Sequence, residues 1–326
     1  MLFKLIARSS VVCLLLVALL STASAQFEDD TKAKAPAAGP KVDKTLTQKL
    51  KIGVEVKAVG GPVRGIRCTL PVPTDWPEQT VKVIEEKQSS HVRNVTYKTL
   101  QGGVKQMIVE IPSINTGDTA SAYVILEVSR SSLIPPDDTT KLSIPKKIPN
   151  GFNWYMNDSP FIETRHGKIV ALAKEIPATD SDWAKVEAIY DLIRAKVEYK
   201  EGPIKGAVKA LTDGTGDCEE LTSLFIALCR QQKIPARTVW VKGHCYPEFY
   251  LVDELGIGYW FPCQAAGSRA FGGIPEHRAV LQKGDSFADP DRPRERLRYV
   301  SEFMKGLAVK GGGDPQHKFI SELLPN

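Results

Sequence analysis

Gly214-Thr215-Gly216-Asp217-Cys218-Glu219-Glu220-Leu221-Thr222-Ser223-Leu224-Phe225-Ile226-Ala227-Leu228-Cys229-Arg230 is a turn that runs into a helix. Leu221, Leu224, Phe225, Leu228 and Cys229 recur at i, i+3, i+4, i+7 and i+8, the spacing of a helix with one apolar face. Cys218 stands three residues before Leu221, which puts its sulfur at the helix N-terminus on the side facing the interior. Unpaired backbone N–H groups and the helix dipole favour a thiolate there. Glu219 and Glu220 stabilise the first turn but oppose another negative charge beside them, so a nucleophilic Cys218 requires a cationic partner. A cysteine at a helix start is by itself more often structural. Cys229, on the apolar stripe, reads as core.

Downstream, a strand over Arg237 to Lys242 leads to His244, which opens a second strand, Cys245 to Val252; after the turn Asp253 to Ile257 the chain returns as Gly258 to Gln264. A hairpin centred on Glu254 sets His244 opposite Gln264 on one face, where the amide can orient the imidazole. The same register sets Cys245 opposite Cys263 on the other face, placed for a cross-strand disulfide and turned away from His244. That orientation, and the lack of a Cys-x-x-Cys pair, argue against a zinc site built from Cys218, His244, Cys245 and Cys263. No metal or cofactor is expected. His91, His166, His277 and His317 have no partner pattern.

Upstream, Trp183, Val186, Ile189, Ile193 and Val197 form one helical face behind Ser181 or Asp182 as cap, and a shorter helix covers about 163 to 176. Residues 131–160 carry Pro135, Pro136, Pro145, Pro149 and Pro160 and read as a Pro-rich linker. Before it, over 45–130, the period is two: Leu50, Ile52, Val54 and Val56 alternate with polar residues, and similar runs follow at Ile66/Cys68/Leu70, Val81/Val83, Met107/Val109/Ile111 and Val124/Leu126/Val128. Short strands separated by Gly- and Asn-rich turns predict an antiparallel β-sandwich. Residues 26–44 read as a flexible charged spacer. Residues 1–25, with Lys4 and Arg8, the apolar run Val11 to Leu20, and Ala23-Ser24-Ala25, have the pattern of a secretory signal peptide, so the mature protein is expected to be secreted or periplasmic with no membrane span. The formal charge of +5 is dispersed, which excludes a nucleic-acid footprint. The C-terminal extension, 286–326, holds the run Arg292, Arg294, Glu295, Arg296, Arg298, read as a solvated surface segment.

Taken together, Gly216-Asp217-Cys218, Ser223-Leu224-Phe225, Ala227-Leu228-Cys229-Arg230, Ile234-Pro235-Ala236-Arg237 and His244 resemble the transglutaminase-like superfamily over roughly residues 160 to 270. The family's His is followed by a small residue, an aromatic, a polar residue and Glu, and His244-Cys245-Tyr246-Pro247-Glu248 fits; its Trp-x-Pro-x-Asp element is similar to Trp260-Phe261-Pro262-Cys263-Gln264, with Gln264 in place of Asp. The resemblance implies an α+β chain: an N-terminal antiparallel β-sandwich followed by a transglutaminase-like, papain-like domain over 161–285. It implies catalytic Cys218, His244 and Gln264, and thiol-dependent acyl transfer, chiefly hydrolysis of peptide or carboxamide bonds in a protein, peptide or cell-wall substrate. The alternative is a catalytically silent module of the same fold that binds a protein or wall polymer, for which the neutral Gln264 is the best support. The sequence leaves the oligomeric state open.

Overall fold

Period-two stretches build the first part of the chain in the computed structural model, which describes residues 38–288, 294–309 and 312–325. The signal-peptide and early spacer expectations, and Arg292 in the tail, fall outside the described residues. Six strands come first: β1 (Lys41–Lys57), β2 (Val63–Val72), β3 (Gln79–Gln88), β4 (Asn94–Thr99), β5 (Lys105–Ile114) and β6 (Thr119–Ile134). The helices α1 (Gly167–Leu172), α2 (Asp182–Lys196), α3 (Ala207–Asp213) and α4 (Cys218–Gln231) follow, with short β7 (Glu198–Tyr199) and β8 (Thr215–Gly216) between them. Next come β9 (Ala236–Val241), β10 (His244–Val252), β11 (Gly258–Pro262) and β12 (Val280–Lys283), then β13 (Phe287–Ala288), β14 (Arg296–Leu297), β15 (Phe303–Ala308) and β16 (Gln316–Leu324). The architecture is α+β.

Two four-stranded antiparallel sheets, ordered β16-β1-β6-β3 and β15-β2-β5-β4, enclose a core of Leu50, Ile52, Val54, Ile66, Cys68, Val109, Val124 and Leu126 among others. Cys68 is buried there as the alternation predicts, and burial pushes its thiol up to about 12. Three boundaries differ from the sequence expectation. Lys41 and Val42, assigned to the spacer, already pair with Ile134 and Leu133. The Pro-rich segment is not a free linker: Ser131–Ile134 finish β6, Ser143 bridges Val252, and Leu142 enters the helical core. The C-terminal extension supplies an edge strand to each sandwich sheet, with Met304 and Phe319 packed on the sandwich core. Open sheet edges carry unpaired N–H and C=O groups, so a distant chain segment that pairs with them is stabilised there even where its own pattern is weak.

α4 runs through the centre of the second core. Leu221, Leu224, Phe225, Leu228 and Cys229 are all buried, against Ile189, Tyr190 and Ile193 of α2 on one side and Phe249, Leu251 and Phe261 of the sheet β11-β10-β9-β12 on the other. Ser181 caps α2 by accepting from the Ala184 N–H, as expected. At the far end of α4, Arg230 is fully buried and forked onto Asp285 by two bonds of 2.8 Å, while its other amine donates to Asn157 O and Ser159 Oγ. This pins the Pro-rich segment to the helix.

A second buried charge cluster joins the sandwich to the sheet beneath the site. Arg130 continues the inward alternation of β6 past Val128, and its Nη1 lies 3.0 Å from Glu78 Oε1. Lys283 Nζ is 2.6 Å from Glu78 and 2.7 Å from Glu248, whose other oxygen pairs with Arg237 at 2.8 Å. Arg130 also donates to the Tyr246 hydroxyl at 2.7 Å. Ions this deeply buried are tolerated only when paired.

Candidate active site

Asp217 opens α4 by a capping box: its carboxylate accepts from first-turn N–H groups, and Glu220 accepts from the Asp217 N–H at 3.1 Å. Gly216 must be glycine, because a Cβ there would lie 2.5 Å from the Glu220 Cβ. Parallel pairing of β7 with β8 sets Tyr199 beside Gly216, two residues ahead of Cys218. Burial first, then its bond to Glu220 and the nearby charges of Glu220 and Cys218, push the Asp217 carboxyl up to about 7. A raised Asp217 pKa lessens the negative charge that Cys218 must face.

His244 follows the tight turn Lys242-Gly243 between β9 and β10, where Gly243 takes a φ of 68°. Its ring borders the same cleft as Cys218, and its Nε2 lies 3.3 Å from Gln264 Oε1. The Gln264 backbone is held by donors from Tyr190 at 2.8 Å and Arg194 at 3.2 Å. The three residues singled out in the sequence therefore meet. The register behind that expectation does not hold. β10 pairs with β11 as Val252↔Gly258 through Glu248↔Pro262, centred on Leu255 rather than Glu254. Asp253 accepts from the N–H groups of Leu255 and Ile257, and Gly256 takes a φ of 77°, so the loop closes one residue later. Moving the centre by one residue shifts partners by two, and a shift of two keeps each side chain on its face.

The cysteine expectation fails for the same reason. Cys245 pairs with Trp240, Cys263 lies beyond β11 in the helical core, and both are free thiols. Cys245 is not turned from the site: β10 packs on α4, and its Sγ sits 3.6 Å from Cys218 O and 3.8 Å from Thr222 Oγ1. Among the described residues no group of three His, Cys, Asp or Glu side chains is placed to hold a metal ion.

The Cys218 thiol is brought down to about 4 by the hydrogen bond from Cys245, then, against burial, by the bond and charge of His244 and the Cys245 N–H. Burial works against charge on His244, but the hydrogen bond and charge of Cys218, with the Gln264 bond, win and raise its pKa. The pair is accordingly stable as thiolate and imidazolium. Cys218 and His244 border a cleft of about 720 Å³ lined also by Tyr199, Trp240, Arg298 and Tyr299, while His244 and Gln264 border a second of about 450 Å³ with Val197, Leu221 and Ala266. Arg298, expected in a solvated run, instead pairs with Glu219 and lies over the Trp240 ring at 5.2 Å. It neutralises one of the two first-turn carboxylates, a role invisible in sequence because the pair spans two distant segments.

Residues 170–265 match the transglutaminase-like superfamily. The chain is similar in structure to a candidate cysteine protease from Cytophaga hutchinsonii, with a TM-score of 0.54 and 18% identity over 85% of this chain and 93% of that one. No curated protein matches the chain. Residues 170–265 are thus similar to the transglutaminase-like superfamily, and the likeness to the Cytophaga structure is one of fold over 85% of the chain.

The amide at position 264 orients the imidazole but stabilises its charge less than a carboxylate does. Gln264→Asp is expected to raise the His244 pKa by about one unit, and Gln264→Ala to lower it by a similar amount. NMR titration of the ring protons checks both, and an unchanged His244 in Gln264→Ala would remove Gln264 from the site.

Proposed function

We propose that this protein is an exported cysteine hydrolase that cleaves peptide or carboxamide bonds by acyl transfer through Cys218, with His244 as acid and base and Gln264 as its orienting residue. The carrying observation is that Cys218, at the start of α4, and His244 border one cleft, with the thiol's pKa held far below its ordinary value. The thiolate attacks the carbonyl carbon, and the imidazolium gives its proton to the departing amine. Water, deprotonated by His244, then attacks the thioester, releasing the acid and the Cys218 thiolate. The oxyanion would take the Cys218 N–H at the helix start. Two clefts meeting at His244 suit an extended substrate, such as a protein, a peptide or a cell-wall peptide, better than a small compact one. Export rests on the signal-like residues 1–25 alone. A silent binding module would share the fold and Gln264 but has no use for a depressed thiol.

The test is iodoacetamide alkylation of the reduced protein between pH 3 and 9, with labelled cysteines located by peptide mass spectrometry. Cys218 is expected to react selectively, with a midpoint near 4, while the buried thiols stay unlabelled. A midpoint near the ~8.5 of a free thiol would sink the reading. The ion pair exists above the Cys218 pKa and below that of His244, so activity should fall in acid near pH 4 and in alkali only above the ordinary histidine range.

A further inference from the structure

Gln264 lies two residues beyond the end of β11 at Pro262, past the last rung of the hairpin ladder, so strand pairing does not hold it. Helix α2 does so instead. Arg194 Nη1 donates to the carbonyls of Gln264 at 3.2 Å and Ala265 at 2.9 Å, and its Nη2 donates to Gly267 O at 2.7 Å. One helical turn earlier on the same face, the Tyr190 hydroxyl donates to Gln264 O at 2.8 Å and accepts from the Ala270 N–H at 3.1 Å. The Gln264 N–H in turn donates to Ala270 O at 2.8 Å. Residues 264–270 are thereby closed into a loop whose two ends meet at the hydroxyl of a buried tyrosine.

The loop also reaches the Gln264 side chain. Gly267 turns the chain back with a φ of 87°, and a Cβ there would lie 3.7 Å from Gln264 Nε2, so the residue that Arg194 holds is the one packed beside the amide nitrogen. An amide needs such control more than a carboxylate does. Only its Oε1 accepts; turned end for end, it would present N–H groups to the Nε2–H of the imidazole, whereas a carboxylate offers an acceptor either way. We infer that Arg194, with Tyr190 beside it, is a positioning residue that holds the Gln264 amide with Oε1 towards His244. The inference rests on the reading of Gln264 as the residue that orients the imidazole. Neither α2 residue touches the reacting atoms, and both act through the loop 264–270.

The experiment is NMR titration of the His244 ring protons in the intact chain, comparing wild type, Arg194→Met, Tyr190→Phe, Gln264→Ala, and each of the first two changes combined with Gln264→Ala. Methionine keeps most of the stem that lies against the Tyr190 ring, and phenylalanine keeps the ring, so each change removes the donors and spares the packing. Arg194→Met and Tyr190→Phe are each expected to lower the His244 pKa by about half a unit, and to lower it no further where Gln264 is already alanine. Loss of a cation would by itself raise the pKa of a neighbouring histidine, so the sign separates positioning from charge. A His244 pKa unchanged or raised in Arg194→Met overturns the inference. So does a fall that adds in full to that of Gln264→Ala, because Arg194 would then act on His244 by another route. Should Arg194→Met not fold, the same two outcomes in Tyr190→Phe decide. If Gln264→Ala itself leaves His244 unmoved, the reading of Gln264 fails and this inference with it; a fall there with none in Arg194→Met removes the inference alone.

Discussion

Cys218→Ala is expected to reduce release of new amines from a casein digest, or from any peptide or carboxamide that the wild type cleaves, by at least about a thousandfold. The sulfur forms the acyl bond, and no other described cysteine can replace it: Cys68, Cys229, Cys245 and Cys263 are buried and their thiols are pushed up by burial, whereas Cys218 is part-exposed beside the clefts. His244→Ala should cost about 10²–10⁴ in turnover, since it removes the proton donor to the amine and the base for water. Neither change should alter the free energy of unfolding in urea by more than about 1 kcal/mol, because both side chains sit at the rim of the core. A Cys218→Ala protein that still releases amine at the wild-type rate would refute the mechanism and leave the fold untouched.

Glu248→Gln is expected to destabilise the fold by about 3–5 kcal/mol, read as a lower urea midpoint. Glu248 is 2% exposed and pairs with Lys283 and Arg237, while Glu78 alone answers Lys283 and Arg130. Removing its charge leaves Arg237 without its carboxylate and removes the charge that opposes burial at Lys283, whose amine burial already brings down to about 7. Although burial favours the neutral acid, Lys283 and Arg237 hold Glu248 down to about 2. A depressed carboxylate contributes stability that is fully present above its unfolded value of about 4.3 and is lost as the pH falls from there towards 2. The wild type should therefore lose stability across that window more steeply than Glu248→Gln. Adding Lys283→Met to the variant should restore part of the loss, since an apolar group of similar length needs no counter-ion. A Glu248→Gln midpoint matching the wild type would show that water reaches the cluster.

Features carried by local spacing were legible. The stripe Leu221 to Cys229 is buried as read, and so are the α2 face from Trp183 to Val197 and the sandwich alternation, except on β3, where Val81 is half-buried and Val83 is exposed. Arg130, two residues past Val128 on β6, was not singled out, because a charged residue on an inward position is explained only by the partners it meets. Strand β4 was missed because Asn94-Val95-Thr96-Tyr97-Lys98-Thr99 is polar and half exposed on an edge, so it lacks the apolar alternation that marks a strand. Gln264 was placed correctly on an inaccurate register, because a two-residue shift in partners leaves faces unchanged. Cys245 and Cys263 had no such protection, since a disulfide needs the partner itself and not only the face.

By itself the sequence determined the strongly periodic elements, most of the faces they bury, and the presence of a cysteine at a helix start with a histidine leading a strand, because periodicity, turns and caps act over a few residues. The tertiary structure alone decided that Cys245 turns onto the nucleophile, that Arg298 neutralises Glu219, that the tail completes both sandwich sheets, and that five buried charges tie the sandwich to the thiol domain. Those contacts join residues from 27 to more than 150 positions apart, apart from the short link between Arg237 and Glu248 within one hairpin. They depend on which surfaces and sheet edges are still open once the local elements have formed, and no spacing rule within one segment encodes that.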